Sequence, residues 1–212
     1  MKKIILSLAA VLAFSAANAQ DKKESKGFGF SEGNVIVEGN LSFGSSTTDN
    51  GGAEVKENSL NFSPKVGYFL SDKLALGVEL GVGSAKEETG ANETTSNTFN
   101  AGVFARYYFL DLGQRFKTYT EAGLGFGSGK NEVNGNETSS NSSLNFGIDL
   151  GINYFVTENF AINFGLNNVL GYSNTTTEFP GGGETKVSSF NGNLNVFNNF
   201  FDTPSFGLTW KF

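Results

Sequence analysis

The sequence predicts an all-β protein: an eight-stranded antiparallel up-and-down transmembrane β-barrel with short periplasmic turns at one end and long external loops at the other. Three observations predict it. Eight segments alternate apolar and polar residues with the two-residue period of a strand. The connections between them alternate in length. The apolar faces also carry more large side chains than the inside of such a barrel can hold, because that interior is only just wide enough for side chains to fill.

The segments follow in order. "NVIVEGNLSF" sets Val35, Val37, Leu41 and Phe43 against Glu38, Asn40 and Ser42. "SLNFSPKVGYFL" sets Leu60, Phe62, Val66 and Tyr68 against Asn61, Ser63, Lys65 and Gly67. "LALGVELGVG" places Leu74, Leu76, Val78, Leu80 and Val82 opposite Ala75, Gly77, Glu79 and Gly81. "TFNAGVFARYYF" places Phe99, Val103, Tyr107 and Phe109 opposite Asn100, Gly102, Arg106 and Tyr108. "KTYTEAGLGFG" is weaker, with Leu124 and Phe126 facing away from Tyr119, Glu121 and three glycines. "SLNFGIDLGINYF" is the cleanest, with Leu144 to Tyr154 on one face and Asn145, Gly147, Asp149, Gly151 and Asn153 on the other. "FAINFGLN" and the closing "SFGLTWKF" complete the eight. Residues 187–203 are read as the interrupted arm of one long last hairpin, bulged near Phe200–Pro204, because proline sits at bulges and edges rather than inside a ladder.

The connections at 44–58, 84–97, 128–141 and 173–186 are long and polar, whereas those at 70–73, 110–115 and 157–159 are short. Long loops at one end and tight turns at the other are the layout of outer-membrane barrels. The face opposite the apolar one is rich in Gly, Asn and Ser, which suits a narrow lumen and would make a poor water-facing sheet. The apolar face therefore points outward, into lipid. Tyr68, Tyr107, Phe109, Phe116, Tyr154, Phe160, Trp210 and Phe212 gather near the short-turn end, and Phe43, Phe99, Phe126 and Tyr172 near the long-loop end. Two such aromatic belts mark the two membrane interfaces.

The first residues agree with this destination. Lys2 and Lys3 precede an apolar stretch that ends in Ala17-Asn18-Ala19, the pattern of a signal-peptidase site, and the stretch is too short for the ~20 apolar residues of a membrane-spanning helix. Residues 1–19 are read as a cleaved signal peptide, 20–32 as a flexible leader and 33–212 as the barrel. Composition excludes much else. The net charge of −6 disfavours nucleic acid, which calls for basic surfaces. The chain has no Cys and no His, so disulfides, thiolate chemistry, Ser-His-Asp triads and zinc-water sites are unavailable.

On the signal peptide, "GNVIVEGNLSFGSS", "FSPKVGYFLSDKLALGVELG" and the terminal "FGLTWKF", the chain resembles the small outer-membrane β-barrel proteins of Gram-negative bacteria, broadly the OmpA/OmpX-like eight-stranded group. The resemblance implies location in the cell outer membrane, contact with its lipid and lipopolysaccharide, and insertion by the barrel-assembly machinery. It also implies that Phe206, Leu208, Trp210 and Phe212 form the C-terminal insertion signal.

Few motifs carry chemistry. "GLGFGSGK" (Gly123–Lys130) looks like a phosphate-cradling loop, but such loops open a helix, and here three glycines share a strand face. The acidic residues of the long loops lack a calcium-ligand spacing. No cofactor, metal or catalytic residue is expected. The informative charges lie on the lumen face: Glu38, Lys65, Glu79, Arg106, Glu121 and Asp149, with Lys117 and Lys211 near the short-turn rim. Ionisable groups inside a membrane protein pair or mark an ion path, and here pairing into a structural plug is expected. Arg106 should bond Glu79 or Glu121, and Lys65 should serve Glu38 or Glu79. The expected role is structural or surface contact, carried by external loops that meet an unidentified extracellular partner. The alternatives are a narrow channel for ions or small solutes and, less favoured, a lipid-modifying enzyme.

Overall fold

The computed structural model describes residues 27–49, 51, 54–192 and 204–212. The signal peptide, residues 20–26 of the leader, and the bulge read near Phe200 lie outside the described residues. The strands are β1 (Val35–Asp49), β2 (Glu54–Phe69), β3 (Leu74–Thr89), β4 (Asn92–Leu112), β5 (Phe116–Val133), β6 (Asn136–Phe155), β7 (Phe160–Phe179), β8 (Gly183–Gly192) and β9 (Pro204–Lys211).

Each strand from β1 to β7 pairs antiparallel with the next. The free side of β7 carries two partners in series. β8 covers its upper half from Leu170↔Gly192 to Phe179↔Gly183, and β9 its lower half from Phe160↔Trp210 to Leu166↔Pro204. β8 and β9 thus share the eighth position of the barrel, as expected for one interrupted arm. The sheet closes where β9 meets β1, from Ile36↔Lys211 to Gly39↔Leu208. Two further bonds extend this seam, Val35 N–H to the Phe212 carbonyl (3.2 Å) and Phe212 N–H to the Val35 carbonyl (2.8 Å).

The expected alternation sets the two surfaces. Leu41, Val78, Val103, Leu124, Leu144 and Trp210 all face outward and are about half exposed, whereas Arg106, Tyr119, Glu121 and Asn153 are buried inside. The outward apolar runs, such as Val35 to Phe43 on β1 and Leu144 to Tyr154 on β6, match the roughly 9–11 residues a tilted strand needs to cross a bilayer. Pro64 lacks an N–H, and the β2–β3 ladder breaks beside it, between Phe62↔Val82 and Lys65↔Glu79.

Two expectations change. The segments read as long external loops are mostly strand: β3 and β4 pair up to Thr89↔Asn92, and β5 and β6 up to Val133↔Asn136. Asn134 and Gly135 turn the latter hairpin with φ of 50° and 76°, the left-handed pair of a tight primed turn. Above the bilayer both strand faces meet water, so the ladder continues without the apolar alternation that reveals it in sequence. The second change concerns the leader. Residues 27–32 are not loose: Phe30 is buried in an aromatic core with Phe69, Tyr108, Tyr119 and Phe155. Its face-on stacking against Phe69, with ring centroids 4.3 Å apart, shows why: the open mouth of the barrel is lined by rings that would otherwise be wet.

Candidate functional site: the lumen

Arg106 organises the lumen. It enters from β4 and is among the largest fully buried side chains. Its Nη1 and Nη2 donate to Glu38 Oε1 (2.5 Å) and Oε2 (2.8 Å), and its Nε donates to Glu121 Oε2 (2.7 Å). This is the two-pronged carboxylate recognition for which a guanidinium is shaped. Lys65 continues the chain of charges, with Nζ 2.5 Å from Glu121 Oε1 and 2.9 Å from Glu79 Oε2. The sequence of contacts is therefore Glu38–Arg106–Glu121–Lys65–Glu79.

The aromatics complete the cation environment. The Arg106 guanidinium lies 4.1 Å above the Tyr119 ring, and Lys65 Nζ lies 5.3 Å from the Phe104 centroid. Tyr119 can stand there because Gly151 faces it: a Cβ on Gly151 would fall 2.2 Å from the ring. Neutral groups meet the remaining demand. Thr209 Oγ1 (2.9 Å) and Asn163 Nδ2 (3.2 Å) both donate to Glu38 Oε1. Asn153 donates to Thr209 (3.0 Å) and accepts from the Tyr108 hydroxyl (3.0 Å). Among the described residues no buried side-chain polar atom lacks a partner. A network satisfied throughout rigidifies a core, whereas a partly satisfied one would weaken it.

Each cation takes one of the two partners expected for it and adds one more. Arg106 takes Glu121, its neighbour in the β4–β5 register, and adds Glu38. Lys65 sits opposite both Glu38 and Glu79 in the ladders, takes Glu79, and then reaches across to Glu121. The pairing that register arithmetic misses, Arg106 to Glu38, spans from β4 to β1 directly across the lumen. It is possible because eight strands enclose a space only a side chain or two wide. Asp149 lies opposite Glu121 in the β5–β6 ladder and lines the cavity above the network. Lys117 bonds Asp111 at the short-turn rim, and Lys211 Nζ donates to the Gly29 carbonyl.

Above this floor the lumen opens into a polar cavity of about 520 Å³, lined by groups such as Asn40, Ser63, Glu79, Asn100 and Asp149. Below it, the Phe30 cluster fills the space. Among the described residues, no three Asp or Glu side chains converge as a metal site. Phe206, Leu208, Trp210 and Phe212 all point outward, where they meet lipid rather than the lumen.

The model of the outer membrane protein beta-barrel domain matches residues 6–198, most of the chain. The protein belongs to that family. No curated protein sequence matches it. Among solved structures, Neisserial surface protein A is 20% identical, covering 85% of this chain and 100% of its own, with a TM-score of 0.49. Outer membrane protein W of E. coli is 15% identical over 86% of this chain and 99% of its own, with a TM-score of 0.48. OprG of Pseudomonas aeruginosa is 16% identical over 87% and 98%, with a TM-score of 0.46. Membership of this barrel family places the chain in the outer membrane, with β1 to β7 and β9 as its wall.

Proposed function

We propose that this outer-membrane barrel is closed to solutes and acts at the cell surface through its projecting hairpins. One observation carries the reading: Arg106, fully buried, is bonded at once to Glu38 on β1 and Glu121 on β5, so a single side chain ties opposite walls across the lumen. Reconstitution into planar bilayers tests it. The wild type should show no steady conductance. Steady conductance abolished by a bulky residue at Gly81, where a Cβ would meet Asn100 and Ser63 of the cavity lining, would replace the plug with a pore.

The cavity of about 520 Å³ is the observation that favours the alternative, a narrow channel, since it supplies half of a path from the loop side. The Arg106 floor ends that path, which is why the closed reading is preferred.

The surface role rests on the upper halves of the strands, which run well past the lipid-facing residues and expose Ser, Thr, Asn and charged side chains on both faces. Binding residues concentrate on such extensions of a rigid scaffold. The partner is extracellular, in addition to lipid and lipopolysaccharide at the wall. Shortening all four hairpins should abolish surface binding and leave the barrel folded. The protein is read as non-catalytic, because without His the upper rim offers no nucleophile–base pair. Turnover of phospholipid or lipopolysaccharide lost on replacing one rim residue would overturn that. Export through cleavage after Ala19 would leave Gln20 first, which intact mass of the native protein checks. Insertion by the barrel-assembly machinery would read the outward row Phe206 to Phe212.

A further inference from the structure

The segment before β1 has the sequence "GFGFSEGN", in which three of the eight residues are glycine and two are phenylalanine. It turns back into the short-turn mouth of the barrel. Phe30 is 9% exposed and touches three walls: its ring stacks on Phe69 of β2 (4.3 Å), tilts onto Tyr108 of β4 (4.6 Å) and meets Phe155 of β6 edge-on (5.1 Å). Phe28 packs 6.5 Å from Phe155 and lies under the Arg115 guanidinium at 4.2 Å, while Arg115 Nη1 also donates to the carbonyls of Phe155 and Val156.

The backbone is pinned as well. Gly33 N–H donates to the Phe69 carbonyl, and Phe69 N–H donates to the Asn34 carbonyl. The Asn34 side chain accepts from Ser31 N–H (2.7 Å), and Glu32 N–H donates to Asp72 Oδ1 (3.1 Å). Lys211 Nζ caps the Gly29 carbonyl (2.8 Å). Gly29 and Gly33, with φ of 125° and 86°, supply backbone shapes that fold the two rings inward and that side-chain-bearing residues rarely adopt.

We propose that residues 27–34 are a stopper that seals the short-turn mouth of the lumen, a second barrier separate from the Arg106 floor. The two differ in kind. The floor is made of barrel side chains held by charge. The stopper is a strap from outside the barrel wall, anchored at Gly33 and Asn34 to Phe69 at the end of β2 and held before that by ring stacking and by bonds to Asp72 and Lys211, so its part from Gly27 to Glu32 can be withdrawn without breaking a strand ladder.

The chain contains no cysteine, so a single introduced thiol reports access cleanly. Ala75 is fully buried in the stopper's aromatic cluster, whereas Asn100 lines the upper cavity. A charged, water-soluble thiol reagent should label Asn100→Cys readily and leave Ala75→Cys protected. Phe30→Ser should raise labelling of Ala75→Cys at least about tenfold, since the local cover is lost, and leave Asn100→Cys labelling unchanged. A second arm does not depend on folding without the ring. A protease site placed at exposed Glu32 is cut after the barrel has folded, and intact mass confirms release of the peptide that carries Phe28 and Phe30. Labelling of Ala75→Cys should then rise in the same way. Protection of Ala75→Cys that persists after either removal, or labelling as fast as Asn100→Cys with the stopper intact, would overturn the proposal. Conductance reports whether the lumen as a whole is closed and thiol access reports the stopper alone, so exposure of Ala75→Cys in a barrel that does not conduct would overturn the stopper and leave the closed lumen standing.

Discussion

The two halves of this barrel are built from the same ladders and held by different forces. In the lower half, from the short turns to the Arg106 layer, the lumen is packed with Phe69, Tyr108, Tyr119, Phe155 and a cross-wall charge network. In the upper half the same strands run on with Ser, Thr, Asn and Gly inside, above a cavity of about 520 Å³. Strand β6 shows the contrast within four residues. A Cβ on Gly151 would strike the Tyr119 ring at 2.2 Å, while one on Gly147 would meet nothing nearer than a carbonyl at 3.9 Å. A continuous hydrogen-bond ladder therefore says little about where stability resides. The lower half should resist change where its interior is filled, as at Gly151, and the upper half should tolerate it where space remains, as at Gly147, while polar side chains close in on Gly83 and Gly127.

The strongest way to break this comparison is to remove Arg106. Arg106→Met leaves Glu38 and Glu121 buried without their shared cation and should cost about 3–5 kcal/mol, read from denaturant unfolding in lipid. Arg106→Lys keeps the charge but not the fork, and should recover only part of that loss. Lys65→Met should cost less, because Lys65 is about one-quarter exposed. If Lys65→Met proved the more damaging, the network would not be organised around Arg106.

The second test sharpens the comparison within one strand. Gly151→Ala forces the Tyr119 ring off Arg106 and should destabilise by about 1–3 kcal/mol. Gly147→Ala has room and should be neutral or stabilise by up to about 1 kcal/mol, because alanine suits a strand interior better than glycine. In a Tyr119→Ala background the cost of Gly151→Ala should largely vanish, a coupling that a double-mutant cycle measures. Equal costs at Gly147 and Gly151 would mean that the lumen at Gly147 is as full as at Gly151.

How much of this was legible in the sequence follows the same division. The membrane-spanning stretches are legible because lipid on one side and a narrow lumen on the other impose period two on every strand, as in "SLNFGIDLGINYF". Arg106–Glu121 and Lys65–Glu79 are legible because both are neighbours in a ladder. Arg106–Glu38 is not, because it depends on barrel diameter and shear, which no single strand encodes. The hairpins above the bilayer read as loops because water on both faces removes the alternation. Phe28 and Phe30 carried a weak signal, two aromatics at strand spacing just before β1, masked by the glycines that let them turn inward.

A third test removes upper ladder outright. Replacing residues 44–58 with a tight Asn-Gly turn deletes the top of β1 and β2, a hairpin with no core of its own. An isolated two-stranded hairpin is marginally stable at best, so its loss should leave the unfolding midpoint close to that of the wild type. A large drop would show that the upper ladders support the barrel rather than extend it.

The smallest effect is expected where charges are most visible on the outside. Lys86 on the upper part of β3 bonds Glu88 (2.7 Å) and Glu93 (2.9 Å), with all three side chains between 40% and 48% exposed. The hydrogen bond from Lys86 holds Glu88 below the usual carboxylate range, and the same bond to Glu88, with that to Glu93, holds Lys86 above the usual lysine value. The signs follow from these directions. Any contribution through Glu88 is complete above the ordinary carboxylate pKa and fades as pH falls through the depressed value. Any contribution through Lys86 is complete below the ordinary lysine pKa and fades as pH rises through the raised one. Between those limits stability should be flat with pH. Water and salt screen charges this exposed, and holding three long side chains in one arrangement opposes the gain. Lys86→Gln should therefore leave the unfolding midpoint unmoved at physiological salt, and any difference seen at low salt should disappear as salt is added. A shift matching that of Gly151→Ala would show that the upper half holds core-like energy in its surface ion pairs, and the division between a filled half and an open half would fail.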